Sequence, residues 1–241
     1  MEGPLQAFAE VVRLPEAELD LGRAALAIAA IEHPRLRPEP YLARLDELAE
    51  RSGVARGPAG RARLSRLSAF LFTEEEFRGN AEDYYDPCNS CLNDVLDRRL
   101  GIPITLSVLM MEIGRRVGLA LAGIGLPGHF VVGAPVDGTM VVVDPFGGGR
   151  ALTREDADAL VSRVVGRAVS LTDAHFAPAS KREIITRMLL NLKRVYAHRE
   201  DWGKALAVID RLLIVEPDNP THAGERGTVM TRYRRRLAAL N

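Results

Sequence analysis

The sequence predicts an α+β protein with a helical N-terminal part, a core built on a small antiparallel sheet, and a helical C-terminus. Three observations carry that expectation. Apolar residues recur at three- and four-residue spacing up to about residue 76 and again from Ser180 onward, the period of helices that bury one face. Between them the pattern changes: Leu119 to Leu126, Phe130 to Gly133 and Met140 to Val143 are short apolar or β-branched runs. Asp137-Gly138 stands between the last two, a strong signal for a tight antiparallel hairpin. The expected divisions are 1–76, helical; 77–175, the core; and 176–241, helical, with all three packed as one compact body.

Four helices are expected first. Leu5, Phe8, Val11 and Val12 make one apolar stripe, and Leu19 to Ile31 is an alanine- and leucine-rich helix ending at His33-Pro34. Pro40 to Arg51 is the third, and Ala62 to Phe72 the fourth, beyond a loop from Gly53 to Gly60. His33 precedes a proline and is expected to do no more than cap a helix end. Glu74-Glu75-Glu76 reads as a solvated helix start. Phe77 to Ser90 is polar, aromatic and punctuated by Gly79-Asn80 and Asp86-Pro87, an ordered loop that must seat its aromatic rings. Leu92 to Leu100 is then a short helix, with Asn89 or Ser90 as its cap.

The chain is organised around Gly101 to Pro145. Pro103 suits a first helical turn, where its missing N–H would have had no partner. Leu106, Leu109, Met110, Ile113 and Val117 then line one face, Arg115 and Arg116 fill the last turn, and Gly118 stops the helix. The hairpin that follows puts His129 and Asp144 on adjacent strands. A carboxylate bonded to one imidazole nitrogen fixes the tautomer and frees the other nitrogen to act as a base. Taken alone, a histidine in an apolar strand is ordinarily a satisfied core residue, and an aspartate before proline ordinarily a turn or cap. Their joint placement after the helix favours a derived catalytic pair.

The chain's two cysteines, Cys88 and Cys91, form a single Cys-x-x-Cys. Zinc would want four ligands and no second pair exists. A redox motif would need a strand before it, and the approach is a proline-bearing loop. Both read as incidental thiols. The sharper alternative has Cys88 or Cys91 folding back toward His129 as a nucleophile from a new position.

Gly147-Gly148-Gly149 lacks the lysine and Ser/Thr of a phosphate loop and reads as a flexible turn. Thr153 caps a helix with Glu155 and Asp156 in its first turn, and His175 falls in a polar linker expected to be exposed. From Ser180, the residues Leu189, Tyr196, Ala205, Ile209, Leu212 and Pro217 match the offsets of one tetratricopeptide repeat, with Asp201-Trp202-Gly203 as its turn. One further helix, Ala223 to Leu240, is available, too little for a peptide-binding superhelix. Arg232, Arg234, Arg235 and Arg236 give it a basic face, expected to be solvated rather than to meet an acidic partner.

Lys plus Arg and Asp plus Glu number 32 each among 241 residues. That balance gives no reason to expect nucleic acid or an anionic membrane. No stretch reaches a membrane span, and Met1-Glu2-Gly3-Pro4 lacks the start of a signal peptide, so cytoplasm is the expected location. Neither cofactor nor metal is expected.

The run Gly101-Ile102-Pro103-Ile104-Thr105-Leu106-Ser107, then Arg115-Arg116-Val117-Gly118-Leu119, Gly125-Leu126-Pro127-Gly128-His129-Phe130 and Asp144-Pro145-Phe146, resembles the transglutaminase-like superfamily. Gly79-Asn80, Asp83-Tyr84-Tyr85-Asp86-Pro87, Asn89-Ser90, Leu92-Asn93 and Arg98-Arg99 are similar to its SirB-like branch, which fuses the papain-like core to tetratricopeptide-type helices. The resemblance implies a Cys-His-Asp triad whose cysteine opens the core helix. It maps that cysteine onto Pro103 and the other members onto His129 and Asp144. Thr105 and Ser107 carry hydroxyls nearby, but the resemblance gives neither the nucleophile's place.

Three functions are therefore expected in competition. The favoured one is a non-catalytic binding or regulatory module, a pseudoenzyme with a protein partner. The second is a thiol-dependent amide hydrolase or acyl transferase using Cys88 or Cys91 with His129 and Asp144. The third is a scaffold that holds a partner through its C-terminal helices.

Overall fold

The computed structural model describes residues 3–57 and 60–239. Pro58 and Ala59, inside the expected Gly53–Gly60 loop, and Leu240, the expected last helical residue, lie outside the described residues, as do Met1, Glu2 and Asn241. The fold is mixed, with helices at both ends and a small antiparallel sheet between them.

Helices α1 (Pro4–Val12), α2 (Leu21–Ala29), α3 (Pro38–Arg51) and α4 (Arg61–Ala69) come first. Asp20 caps α2 by accepting the Arg23 N–H at 2.8 Å. After α4 the chain widens into a π-helical turn, Phe70–Glu74. The triple glutamate is therefore a helix end and not the solvated start expected. Glu75 is buried and pairs with Arg51 and Arg99, because two guanidinium groups compensate its loss of water.

The 77–90 loop begins with β1 (Arg78–Gly79), paired in parallel to β2 (Leu100–Gly101), with α5 (Leu92–Arg98) between them. Helix α6 (Pro103–Arg116) follows at once. Its Pro103, Ile104, Leu106, Val108, Leu109, Met110 and Ile113 are all buried, more than one stripe, as befits a helix packed on several sides.

Strands β3 (Ala122–Leu126), β4 (His129–Val136), β5 (Thr139–Asp144) and β6 (Arg150–Leu152) form an antiparallel meander in chain order. Val136 pairs with Thr139 across the Asp137-Gly138 turn. Both turn residues have positive φ, 49° and 79°, the backbone that lets a two-residue loop follow the strand twist. One group of buried side chains, with Phe130, Val132 and Val143, joins α6 and the terminal helices. A second, with Ile124, Val131 and Val142, packs on Ala157 and Val161 of α7 (Arg154–Val165).

Three helices complete the chain: α8 (Lys181–His198), α9 (Trp202–Val215) and α10 (Pro220–Ala239). Asp201 is the N-cap of α9, so Trp202 and Gly203 are helical rather than part of the turn expected there. Buried Ala205 lies on α9 and buried Tyr196 on α8. The Tyr196 hydroxyl donates to Glu32 at 2.8 Å, and the Lys204 ammonium reaches the same carboxylate at 2.8 Å. Lys181 donates to the Leu19 carbonyl at 2.7 Å, so the N-terminal helices are fastened to α8 and α9.

Candidate functional site

The site lies where β4 begins and β5 ends, against the start of α6. Val132 pairs with Val143, so one step further along the register Asp144 is level with Val131, two residues from His129. That diagonal spacing is within reach of longer side chains. His129 Nε2 lies 2.9 Å from Asp144 Oδ1, and the two residues are 4% and 5% exposed. With the carboxylate accepting, Nε2 carries the proton and Nδ1 keeps its lone pair. The Phe146 N–H also donates to Asp144 Oδ1, at 3.1 Å. Gly147 is required beside them, since a Cβ there would stand 2.5 Å from Asp144 Oδ2.

His129 is anchored from α8. Arg187 Nη2 donates to the carbonyls of His129 and Leu126, at 2.6 and 2.8 Å, and its guanidinium sits 5.3 Å from the Phe130 ring centroid. Burial draws the Arg187 pKa below its ordinary range. From the 77–90 loop, Tyr84 meets Phe146 edge-on at 6.1 Å, and Phe146 meets His129 edge-on at 6.0 Å. The loop's aromatic residues are therefore seated on the site.

A groove of about 280 Å³ opens here. Pro103, His129 and Ser90 line it together with Tyr84, Tyr85 and Arg187. Asn191 and Arg194 of α8 form part of its further wall. Thr105 and Ser107 are engaged elsewhere: Thr105 Oγ1 donates to the Asn89 carbonyl at 2.7 Å and Ser107 Oγ to that of Pro103 at 2.8 Å. Those bonds hold the first turn of α6 where a proline has removed one main-chain donor.

Neither cysteine lines the groove. Cys88 is half-buried, and burial together with Asp94 and Asp86 pushes its thiol up to about 12. Cys91 is fully buried, and burial together with Asp94 pushes its thiol well up. Both shifts oppose formation of a thiolate.

Cys91 keeps different company. Its sulfur, a ring nitrogen of His33 and an Asp94 oxygen lie within 4.8 Å of one another. His33 Nε2 is 2.7 Å from Asp94 Oδ2, so His33 ties the end of α2 to α5 instead of only capping a helix. Asn93 Oδ1, next to Asp94 in the chain, is buried without a hydrogen-bond partner among the described residues. Nitrogen, sulfur and oxygen donors of this kind are the ones that could hold a divalent ion such as zinc. Looking only for a second cysteine pair missed His33 and Asp94. His175 also differs from expectation: it is half-buried, and its Nδ1 accepts the Thr172 N–H at 3.0 Å.

Comparison with known proteins follows this geometry. A family model described as the transglutaminase-like superfamily matches residues 39–190, which include α6, His129, Asp144 and the start of α8. A UPF0162 protein of Xylella fastidiosa (strain Temecula1) is 37% identical over 229 residues, 92% of this chain and 81% of the relative. The chain belongs to the transglutaminase-like superfamily and to its UPF0162 proteins. This transglutaminase-like protein is also similar to a UPF0162 protein of Vibrio cholerae, 29% identical over 226 residues, 91% of this chain and 80% of that one. The human F-box only protein 21 is 31% identical over 137 residues, 54% of this chain but 21% of the human protein. No solved structure matches. The matched region of the transglutaminase-like chain ends inside α8, so the Arg187 anchor falls within it while α9 and α10 lie beyond.

Proposed function

We propose that this transglutaminase-like protein, of the SirB-like branch, keeps the frame of a triad enzyme without its nucleophile and acts as a non-catalytic binding or regulatory module. The observation that carries this reading is Pro103. It is the first residue of α6 and shares a groove with His129, and an imino acid there can neither attack a carbonyl nor give up a proton. His129 and Asp144 are then a vestigial pair. A triad acts as a unit, and losing one member costs several orders of magnitude in rate.

The thiol alternative has less to support it. Cys88 and Cys91 are absent from the groove lining, and their surroundings disfavour the thiolate. The hydroxyls of Thr105 and Ser107 are bonded to main-chain carbonyls. The human F-box only protein 21 supports a modular role, since the similar region is about a fifth of that protein. The C-terminal helices are read as one and a half tetratricopeptide-like units that buttress the groove through α8. A protein partner and a cytoplasmic location complete the reading.

The test is a broad panel of amide and ester substrates incubated with the wild type, His129→Ala, Ser90→Ala and Cys88→Ser/Cys91→Ser. No turnover above buffer is expected from any of them. Turnover by the wild type that His129→Ala abolishes would overturn the reading, and the serine or cysteine variant would name the nucleophile.

A further inference from the structure

The groove is polarised, although the protein as a whole carries no net charge. Arg187 and Arg194 line it, and no aspartate or glutamate does. Among the described residues neither arginine makes an ion pair; the Arg187 hydrogen bonds go to two carbonyls. Arginines elsewhere do find carboxylates, as Arg98 does with Asp86 and Arg116 with Glu112. A half-buried guanidinium without a counter-charge is costly unless something brings one.

The start of α6 adds to the same field. Ile104 lines the groove, and the Ile104 and Thr105 amides have no acceptor among the described residues. Free N–H groups at the positive end of a 14-residue helix attract an anion. Two almost fully buried side chains also leave polar atoms toward this space. Ser90, 2% exposed, has a hydroxyl with no hydrogen-bond partner among the described residues, and His129, 4% exposed, has its Nδ1 unengaged. Both residues line the groove; the Ser90 hydroxyl can donate there, whereas Nδ1 of neutral His129 can only accept, so the groove's donors are Ser90, the two arginines and the first amides of α6.

Apart from Asn191, the rest of the lining is largely apolar or aromatic, with Tyr84, Tyr85, Phe130, Leu190 and Val195 prominent in it. A bare inorganic ion would leave these surfaces unused. A cavity of about 280 Å³ takes one or two side chains and not a folded domain.

We infer that the groove binds an acidic peptide segment of a partner protein, its carboxylate held by Arg194, Arg187, the Ser90 hydroxyl and the α6 N-terminus, with a neighbouring apolar side chain against the tyrosines. This rests on the reading of the groove as a binding site and adds the chemistry of its ligand.

The experiment titrates the ¹⁵N-labelled full chain with acetyl-Gly-Phe-Glu-Phe-Gly-amide, with its glutamine and lysine counterparts, and with the glutamine peptide bearing a free C-terminal carboxylate. Amide shifts at Ser90, Ile104 and His129 report occupancy. The glutamate peptide is expected to bind at least about tenfold tighter than the glutamine or lysine amides, weakening as salt rises. The free-carboxylate peptide tells a chain terminus from a side chain as the source. Arg194→Glu, at an exposed position with no ion pair or hydrogen bond among the described residues, should cost the glutamate peptide at least about tenfold while leaving distant amide shifts unchanged, and Arg194→Gln serves as the milder variant. Equal binding of the three amides, shifts away from the groove, or phosphate and acetate binding as tightly as the peptide would overturn the inference. Cleavage of the peptide would contradict the non-catalytic reading while leaving the charge preference standing, so the two failures are distinguishable.

Discussion

His129 Nε2 stands 2.9 Å from Asp144 Oδ1, and Arg187 on α8 holds the carbonyl of the same histidine at 2.6 Å. The imidazole is thus gripped from the sheet and from the C-terminal helices at once. Long-range ¹H–¹⁵N spectra should show the proton of neutral His129 on Nε2. In Asp144→Ala that preference should weaken, because among the described residues no other hydrogen bond reaches Nε2. A dominant Nδ1–H form in the wild type would contradict the assigned pairing.

Arg211 on α9 is a burden the fold carries. It is 4% exposed, its Nε has no partner, and one hydrogen bond to the Ala207 carbonyl and the Phe8 ring at 5.6 Å are its main compensations. Burial brings its pKa down to about 10. Replacing an uncompensated buried charge by an apolar side chain of similar length is often neutral or stabilising. Arg211→Met is expected to raise the unfolding free energy by about 1 kcal/mol, measured by urea denaturation. A loss of more than about 2 kcal/mol would mean that the guanidinium contributes stability through contacts beyond these.

Acid should loosen the join between Glu32 and helices α8 and α9. Burial alone would raise the Glu32 pKa, but hydrogen bonds from Lys204 and Tyr196 outweigh it and the net shift is downward. A carboxylate with a lowered folded-state pKa adds stability above its unfolded value, and that stability is lost as pH falls through the folded one. Glu216, with Asn219 and Thr186 as donors, is lowered in the same sense. Thermal melting from pH 7 downward should therefore show the steepest loss below about pH 4.5, near the unfolded glutamate value. Tyr196→Phe, which removes one donor, should melt earlier at neutral pH by about 1 kcal/mol and show a shallower acid slope. An unchanged slope would remove Glu32 from the account.

Much of the fold was legible because its signals are local. Helix α6 is bounded by Pro103 and stopped by Gly118, and Asp137-Gly138 dictates its hairpin. That hairpin put His129 and Asp144 on adjacent strands, and the helix before it together with the family resemblance suggested that they pair. What the sequence hid is long-range. Glu75 looked solvated because its two arginine partners, Arg51 and Arg99, are distant in the chain. His33 looked like a cap because Asp94 and Cys91 come to it only through the packing of α5 on α2. Arg187 sits in a helix that reads as a repeat element, and nothing in that periodicity says its guanidinium reaches the His129 carbonyl. Asn89 or Ser90 was expected to cap α5, but Cys91 takes the N-cap position and Ser90 faces the groove.

The central proposal is that the groove retains a histidine, backed by Asp144, and has lost the nucleophile that the pair would activate. Iodoacetamide labelling rates, followed residue by residue by mass spectrometry across pH, test it most directly when wild type and Pro103→Cys are compared. Cys88 and Cys91 should label slowly at neutral pH with no plateau below roughly pH 10, whereas Cys introduced at position 103, at a helix start beside His129, should label at least about tenfold faster and at lower pH. A wild-type thiol that labels with a depressed pKa, and loses that reactivity in His129→Ala, would contradict the account.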